Sequence, residues 1–401
     1  MSSSAPNIIG QLEQQLQERK QAQLLRQRNT LNSAQGAKVM LGNQSLLNFC
    51  SNDYLGLANH PKMLSAFKSA ANTYGVGGGA SHLVCGHSAA HHQLEALFAE
   101  RSGRDRALLF STGYMANLGV LSALLNKEDA VFEDKLNHAS LLDGGLMSGA
   151  KFQRFLHNDV ASLEKKLSKT DARRKLICVD GVFSMDGDKA PLQALAASAK
   201  NHDALLMVDD AHGLGCLGKT GMGICEEAQL SQDDVPILMA TLGKALGSFG
   251  AVVAGPEAII ETLVQFARPY IYTTAMPPAV AAATHQALLL LDEEAWRREH
   301  LQQLINFFVE EAQLIGLPLM PSNTAIQPLL LGSETKALAW QQALMEAGFW
   351  IAAIRPPTVA KGSSRLRITL TAGHSLEHIE QLLAALKTLL LSHPINNGNQ
   401  L

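Results

Sequence analysis

The sequence predicts an α/β fold: a large, mostly parallel sheet with helices on both faces, followed by a smaller C-terminal α+β domain. From about residue 90, short runs that are apolar throughout alternate with stretches of helical spacing, which is typical of parallel strands joined by helices. Roughly the last hundred residues carry long helices, then strand candidates and a final helix, which indicates a separate smaller domain. Ligands of such sheets bind beyond the carboxyl ends of the strands, so the residues directly after each run are the candidates for chemistry.

The predicted elements begin with an N-terminal helix over residues 8–28, where apolar residues recur at helical spacing, and with two strands at 38–41 and 46–49. The strands predicted for the large sheet are 107–110, 130–132, 176–179, 205–208 and 237–240. The helices predicted among them are 115–125, 160–167 and 191–199. The C-terminal predictions are helices 279–291, 296–315 and 376–391 and strands 325–331, 350–354 and 366–370. The predicted domains are an arm (1–50), a large domain (51–290) and a small domain (291–401).

Composition excludes several classes of protein. The chain has 401 residues, 47% of them hydrophobic and 17% charged, which is enough apolar material for a core and argues against disorder. Its 33 basic and 36 acidic residues give a net charge of −3, which excludes a nucleic-acid binder that depends on bulk positive charge. We expect no membrane span, because the longest apolar stretch, residues 279–291, is too short. The five cysteines form no C-x-x-C pair and are odd in number, which favours a reducing compartment, the cytoplasm.

Residues Gly213–Thr220 match the phosphate-loop pattern G-x-x-x-x-G-K-[ST] in full. Such a loop must open a helix, because backbone N–H groups and the helix dipole together bind the phosphate. Here Gly221 and Gly223 come directly after it, and two glycines cost about 2 kcal/mol of helix propensity relative to alanine. A glycine-rich turn therefore explains the match better, and a nucleotide hydrolase is a remote alternative.

An acid, a histidine and a lysine stand directly after two neighbouring apolar runs. Asp209 and His212 follow the first run, and Thr241 and Lys244 follow the second. A lysine among small and apolar neighbours is poorly solvated, which lowers the pKa of its amine and makes the amine nucleophilic. A carboxylate at a neighbouring strand end is what keeps a pyridine nitrogen protonated. Singly, such an Asp is usually a helix cap and such a Lys a surface residue, but together they indicate pyridoxal phosphate.

A helix start supplies a candidate phosphate cradle. Gly113 and Tyr114 lie between the strand at 107–110 and the helix at 115–125, so their N–H groups face an anion at a helix N-terminus. An ordinary helix cap is the alternative interpretation. His138 follows the strand at 130–132 and is a candidate for ring stacking or proton transfer, although isolated histidines more often begin a helix.

Three histidines lie close together in the sequence. His87 and His91 have the i, i+4 spacing of a metal-ligand pair, and His92 adjoins them. The pattern H-E-x-x-H does not occur, and we expect no acid or cysteine nearby to complete the set. An incomplete ligand set predicts that the protein holds no metal.

Four motifs together resemble the α-oxoamine synthase family of pyridoxal-phosphate enzymes. They are Asp209-x-Ala-His212, Thr241-x-x-Lys244, VFSMDG at 182–187 and NDYLG at 52–56. The resemblance runs over about residues 8–390. It implies the aspartate aminotransferase-like fold (fold type I), a large domain that binds pyridoxal 5′-phosphate, and a homodimer with the active site at the interface. Members condense an amino acid with an acyl thioester and release carbon dioxide.

The resemblance also implies a role for each matching residue. Lys244 would bind the cofactor covalently and move the α-proton, Asp209 would pair with the pyridine nitrogen, and His138 would stack on the ring. The catalytic residues would be Lys244, His138, Asp209 and His212. The other cofactor-binding residues would be Gly113, Tyr114, Ser184, Thr241 and, offered to the partner subunit, Thr273 and Thr274. The substrates would be bound by Arg355 at the amino-acid carboxylate, by Thr358 and His138, and by Arg26 at the acyl group.

Three further segments resemble one branch of the family, at 157–160, 187–191 and 353–359. That branch condenses L-alanine with a pimeloyl thioester, carried by coenzyme A or acyl carrier protein, in biotin biosynthesis. The glycine-rich stretch at 77–82 departs from the family pattern, because His82 stands where glycine or arginine is expected. The alternatives are another α-oxoamine synthase, which joins glycine or serine to a different acyl-CoA, and an aminotransferase.

Overall fold

The computed structural model describes residues 7–392 except Gln23 and Gln27. Its strands are β1 (Lys38–Leu41), β2 (Gln44–Asn48), β3 (Arg106–Phe110), β4 (Ala130–Asp134), β5 (Lys151–Phe155), β6 (Lys175–Asp180), β7 (Leu205–Asp209), β8 (Ile237–Thr241), β9 (Ala251–Gly255), β10 (Ile326–Gly332), β11 (Phe349–Trp350), β12 (Ala352–Ile354) and β13 (Ser364–Thr369).

Helices connect and cover these strands. They are α1 (Ile8–Gln21), α2 (Pro61–Tyr74), α3 (Ala89–Ser102), α4 (Gly113–Leu124), α5 (Ala139–Met147), α6 (Val160–Leu167), α7 (Leu192–Asn201), α8 (Ile224–Glu227), α9 (Glu257–Phe266), α10 (Arg268–Ile271), α11 (Pro278–Glu293), α12 (Trp296–Leu314), α13 (Glu334–Glu346) and α14 (Leu376–Ser392). A single π-helical turn, His82–Gly86, precedes α3.

The large sheet has seven strands in the order β3-β9-β8-β7-β6-β4-β5. The four pairs from β8 to β5 are parallel, whereas β9 runs antiparallel to both β8 and β3. The predicted mostly parallel sheet with helices is confirmed. Because β3, β4, β6, β7 and β8 point the same way, their carboxyl ends meet at one edge, where ligands of α/β sheets bind.

The strands of this sheet are buried because helices cover both of its faces. Every residue of β9 and all but the first residue of β6 and β7 are buried. Removing a Val, Leu or Ile side chain from water stabilises a fold by about 1.5–3 kcal/mol, so uniformly apolar strands are favoured where neither face meets solvent. The sequence prediction did not include β5 and β9: β5 is largely polar, and β9 adjoins a glycine-rich turn.

The N-terminal helix is shorter than predicted. It ends at Gln21 instead of residue 28, and residues 24–26 have irregular backbone. The side chain of Asn7 caps its start by accepting from Gly10 N, but the helix buries none of its residues. Isolated helices gain most of their stability from packing, so a helical pattern without a packing surface does not determine where the helix ends.

Two three-stranded sheets complete the fold. One has the order β1-β2-β11 and the other β10-β13-β12. The strand predicted at 350–354 is therefore two strands, since β11 pairs with β2 and β12 pairs with β13. Helix α14 contacts α12 and α13, and α13 contacts all three strands of the second sheet, so these elements form the smaller C-terminal domain. Among the described residues, every helix is too short or too polar to cross a bilayer.

Candidate active site

A cavity of about 180 Å³ opens at the carboxyl edge of the large sheet. It is lined by Gly113, Tyr114, His138, Ser140, Asp180, Val182, Ser184, Asp209, Ala211, His212, Met239, Thr241 and Lys244. Most of these residues end a strand or begin the segment after it, which is where sheet geometry places a ligand. Eight predicted site residues thus share one cavity: Gly113, Tyr114, His138, Ser184, Asp209, His212, Thr241 and Lys244.

Lys244 is the buried amine of this cavity. It follows β8 in a tight turn, in which Gly247 N donates to the Lys244 carbonyl at 2.8 Å. The side-chain Nζ lies 2.9 Å from His212 Nε2. Burial lowers the pKa of the amine to about 8, against the opposing charges of Asp209 and Asp180. About 300-fold more of the amine is therefore neutral near pH 7 than for an ordinary lysine.

Two carboxyl groups lie side by side at the ends of β6 and β7, because Asp180 pairs in register with Asp209. Asp209 is 4% exposed and accepts from Asn117 Nδ2 at 2.7 Å and from Ala211 N at 3.1 Å. Burial and the neighbouring Asp209 raise the pKa of Asp180 well above its usual value. Asp180 Oδ2 accepts from His138 N at 2.9 Å, so this carboxyl group also fixes the backbone at the start of α5.

His212 links the lysine to a network that the sequence did not reveal. Its Nδ1 lies 2.6 Å from the Tyr54 hydroxyl, which also contacts Asn52 Oδ1 at 3.3 Å. Arg367, a buried residue of β13, donates to the same Asn52 oxygen at 3.2 Å and to the Ser184 carbonyl at 2.7 Å. Burial and the Lys244 amine lower the pKa of His212 well below its usual value, so the imidazole is neutral.

His138 is the N-cap of α5, and its Nδ1 lies 2.7 Å from Ser140 Oγ. The Tyr114 ring meets it edge to face, with 6.4 Å between ring centroids. Burial lowers the pKa of the imidazole. A neutral, fixed ring at the cavity wall can stack on a planar ligand, and the N-cap role of His138 does not prevent this.

The start of α4 has the geometry of an anion cradle. Thr112 caps the helix by accepting from Met115 N at 3.2 Å, which leaves the other N–H groups of the first turn for a ligand. A Cβ at Gly113 would lie 2.7 Å from Thr241 Cγ2, so only glycine fits there. Tyr114 donates its hydroxyl hydrogen to Asp143. Thr241 donates to the Ala211 carbonyl at 3.3 Å.

The remaining predicted site residues lie outside this cavity lining. Thr274 is exposed and forms a backbone bridge with Ser81. Thr273 precedes it, and Thr358 lies in the turn after β12, where its N–H donates to the Arg355 carbonyl at 3.1 Å. Arg355 is half-buried directly after β12, and Arg26 is exposed in the irregular segment beyond α1. None of these five residues lines the cavity of Lys244 in the single chain.

The phosphate-loop match is a turn wrapped around a carboxylate of the chain itself. Glu226 Oε1 accepts from Thr220 N at 2.9 Å and from Thr220 Oγ1 at 3.0 Å, and Oε2 accepts from Met222 N at 2.9 Å. A Cβ at Gly218 would lie 2.2 Å from Oε2. The helix after this turn, α8, has only four residues. The place of a phosphate is taken, which removes the structural basis for a nucleotide hydrolase.

One expectation about the histidines is wrong. We expected no acid to complete the set, but the ligand atoms of His87, His92 and Glu95 lie within 4.8 Å of one another. His82, His87 and His91 form a second such group. Glu95 stands three residues beyond His92 on α3, so the i, i+3 spacing that brings the two together was visible in the sequence.

The cavity fits a phosphorylated pyridine aldehyde. It offers a buried, partly neutral amine at Lys244, a buried carboxylate at Asp209 and a helix N-terminus at Gly113. These groups match the aldehyde, the ring nitrogen and the phosphate of such a molecule.

Comparison with known proteins gives the class of the chain. The profile of the aminotransferase class I and II family matches residues 44–386, and the chain belongs to this family. Serine palmitoyltransferase of Sphingomonas wittichii has a similar structure, with a TM-score of 0.91 and 31% identity over 96% of this chain and 98% of that one. These findings confirm the predicted fold and the resemblance to the α-oxoamine synthases.

More similar sequences carry a more particular name. The 8-amino-7-oxononanoate synthase of Cellvibrio japonicus is 60% identical over 380 residues, which is 95% of this chain and 96% of the relative. The synthase of the same name from Saccharophagus degradans is 58% identical, with the same shares covered. A solved 8-amino-7-oxononanoate synthase from Francisella tularensis has a TM-score of 0.76 and 33% identity, and covers 86% of this chain and 98% of its own.

Proposed function

We propose that the chain is a pyridoxal-phosphate-dependent acyltransferase. It condenses L-alanine with a pimeloyl thioester to 8-amino-7-oxononanoate, with release of carbon dioxide and the free thiol, in biotin biosynthesis. The observation that carries the proposal is the buried Lys244 amine in one cavity with Asp209, in a chain 60% identical to a protein of that name. The lower identity to serine palmitoyltransferase, 31%, favours the pimeloyl substrate over a serine-specific sibling.

Pyridoxal phosphate, when bound, supplies an electron sink for negative charge at the amino-acid α-carbon. Lys244 would hold its aldehyde carbon, Asp209 its ring nitrogen, and the N–H groups of Gly113 and Tyr114 its phosphate. Ser184 and His212 would lie at the ring hydroxyl, and His138 on the ring face. Thr241 would contribute to the phosphate end.

Proton movement is assigned to Lys244. An amine with a pKa of about 8 exists in both protonation states near neutral pH, which a group that takes and returns a proton requires. Neutral His212, 2.9 Å from Nζ, fixes the position of the amine without adding a second positive charge. Because Tyr54 holds the other ring nitrogen, the imidazole keeps one orientation.

The carboxylate of the amino acid has two candidate partners. The family resemblance assigned it to Arg355, which lies in the turn after β12. The structure adds Arg367 as a candidate: it is buried, contacts the Ser184 carbonyl at the cavity wall, and lies near enough to Lys244 to help lower the pKa of the amine. Arginine suits a carboxylate because its planar fork donates two parallel hydrogen bonds.

A homodimer would account for the predicted site residues that do not line the cavity of Lys244. Thr273 and Thr274 would reach the phosphate in the partner's cavity, and Arg26 and Thr358 would meet the acyl substrate. The exposed hydroxyl segment at Thr274 and the exposed Arg26 support this proposal, since both are open to a second subunit.

The test is a matrix of L-alanine, glycine and L-serine against pimeloyl, acetyl, succinyl and palmitoyl thioesters, with free thiol as the readout. Alanine with the pimeloyl thioester should release thiol at least tenfold faster than any other pair. Thiol release with glycine or serine instead would give the sibling activity. Amino-group exchange with a keto acid, without thiol release, would make the chain an aminotransferase.

The two arginines are separated in the same assay. Arg367→Lys should raise the KM for alanine at least tenfold and change the KM for the thioester little, whereas Arg355→Lys should change both KM values little. If Arg355→Lys raises only the KM for alanine, the carboxylate belongs to Arg355.

A further inference from the structure

A cluster at the start of α3, outside the lining of the Lys244 cavity, has the composition of a metal site. The cluster consists of His87, His92 and Glu95, whose ligand atoms lie within 4.8 Å of one another. His92 and Glu95 share one face of α3 at i, i+3 spacing. His87 stands two residues before the helix, where its Nε2 lies 3.9 Å from Glu95 Oε2.

The first turn of α3 fixes where His87 can lie. Ser88 and His91 form a capping box, in which each side chain meets the backbone of the other. His91 is itself committed: its Nδ1 accepts from Ser88 N at 3.0 Å, and its Nε2 donates to the Met276 carbonyl at 2.8 Å. His91 is therefore a structural residue, which eliminates the group of His82, His87 and His91 as a complete ligand set.

His82 plays a different part beside the cluster. Its Nδ1 lies 3.0 Å from His87 Nδ1, and its ring stacks on Tyr270 with 5.1 Å between centroids. When His87 donates from Nδ1 to His82, its Nε2 keeps the lone pair that a metal needs. Metal-binding histidines generally donate their other ring N–H to a fixed acceptor, which orients the ligand.

The carboxylate is oriented in the same way. Glu95 Oε1 accepts from Leu109 N of β3 at 2.9 Å, which leaves Oε2 toward His87. Two ligands of a tetrahedral Zn²⁺ at about 2.0–2.1 Å are about 3.3 Å apart. The observed 3.9 Å between His87 Nε2 and Glu95 Oε2 therefore needs a movement of roughly half an ångström, which a side-chain torsion supplies.

We propose that His87, His92 and Glu95 bind one first-row divalent cation, Zn²⁺ by preference, with His82 orienting His87. Two imidazoles and one carboxylate form a three-ligand set that suits Zn²⁺ and leaves a position for water. The ion joins the start of α3 to β3 through Glu95 and Leu109 and acts as a structural brace. None of its ligands lines the active-site cavity.

The experiment is a titration of the cofactor-loaded, metal-free enzyme with Zn²⁺ by calorimetry, and with Co²⁺ by visible absorption. We expect one ion per chain, a higher unfolding midpoint with Zn²⁺, and the absorption of tetrahedral or five-coordinate Co²⁺. His92→Ala and Glu95→Gln should each weaken binding more than about 100-fold, and His82→Ala about tenfold, the typical effect of losing an orienting partner.

His378→Ala, which removes a half-buried histidine of α14, is the matched control and should bind as the unmodified chain does. Glu95→Gln keeps an oxygen for Leu109 N, so it tests the ligand role even if His92→Ala does not fold. Failure to bind one equivalent of either ion, or full binding in both variants, would overturn the proposal. Equal weakening in the His378→Ala control would show nonspecific histidine binding and overturn it as well.

Discussion

Two turns of this chain have the composition of a phosphate site, and they differ in what they enclose. The turn at Ser111–Tyr114 opens the twelve-residue helix α4 and lines the cavity of Lys244. The loop Gly213–Thr220 matches a phosphate-loop pattern more fully but surrounds the Glu226 carboxylate. The N–H groups of the first are left for a ligand, while those of the second are bound by the chain.

An anion site therefore depends on the helix after the turn more than on the turn's own composition. A helix of three turns orients N–H groups and a dipole toward one point, whereas α8 has four residues and supplies neither. Glycines serve both turns for the same steric reason: a Cβ at Gly113 would strike Thr241, and one at Gly218 would strike Glu226.

The largest difference between the two turns is expected when the lysine beside each of them is replaced by alanine. Lys244→Ala should lower thiol release more than 1,000-fold, because it removes the covalent anchor and the proton carrier. Lys219→Ala, in the phosphate-loop match, should leave the rate within about twofold. A large loss in Lys219→Ala would place chemistry at the second turn and contradict the assignment.

Replacing the acidic residue beside each turn by its amide should affect catalysis at one turn and stability at the other. Asp209→Asn should lower kcat about 100-fold or more and change the unfolding midpoint little, because the amide keeps the hydrogen-bonding shape but not the charge that a pyridine nitrogen needs. Glu226→Gln should keep the rate but lower the free energy of unfolding by about 1 kcal/mol, since the Thr220 and Met222 N–H donors lose part of their charged acceptor. Steady-state kinetics and denaturant melts of both variants check this. The reverse pattern would exchange the functions of the two sites.

His157 belongs to a second cluster in which polar groups of the chain bind one another instead of a ligand. Its ring nitrogens lie 3.0 Å from Asp134 and 2.8 Å from Asp188. Burial opposes the charge, but these two hydrogen bonds raise the pKa of His157 to about 10. The folded state therefore holds a proton that the unfolded state loses above about pH 6.5, so the stabilisation is complete below that pH and declines as the pH rises toward 10.

His157→Gln should accordingly lower the free energy of unfolding by about 2 kcal/mol at pH 6, the order of a hydrogen bond to a charged group. The difference from the unmodified chain should shrink steadily up to pH 10. Denaturant melts at several pH values measure it, and a difference independent of pH would show that His157 is neutral in the fold.

The smallest effect concerns the cap of α4. Thr112→Ala removes the side chain that accepts from Met115 N and should cost about 1 kcal/mol of stability. It should also weaken cofactor retention several-fold, because the cap holds the first turn in shape. Thr112→Ser is the control and should restore both properties. Loss of stability without any change in cofactor retention would mean that the first turn does not bind the phosphate.

Much of the fold could be predicted because apolar periodicity reports burial directly. The predicted helix at 160–167 and strand at 38–41 agree with the structure to the residue. Strand β5 was missed because it is polar, and the end of α1 was misplaced because α1 packs on nothing among the described residues. The split of β11 from β12 depends on pairing with β2, a contact across about 300 residues that local pattern does not contain.

The candidate site likewise has residues that local sequence pattern predicts and residues that it does not. Lys244, Asp209 and His212 stand directly after apolar strands, so sheet geometry predicts that they converge. Tyr54 contacts His212 only in the folded chain, and Asn52 and Arg367 extend this network from other segments. The family resemblance includes the segment holding Asn52 and Tyr54 but assigns these residues no role, and Arg367 has no local signal.

The central claim, that Lys244 is the residue that binds the cofactor, is tested most directly by reducing the loaded enzyme with borohydride and mapping the modified peptide. We expect one labelled site, Lys244, with labelling absent in Lys244→Ala and intact in Lys219→Ala. Labelling of another lysine, or labelling that persists in Lys244→Ala, would contradict it.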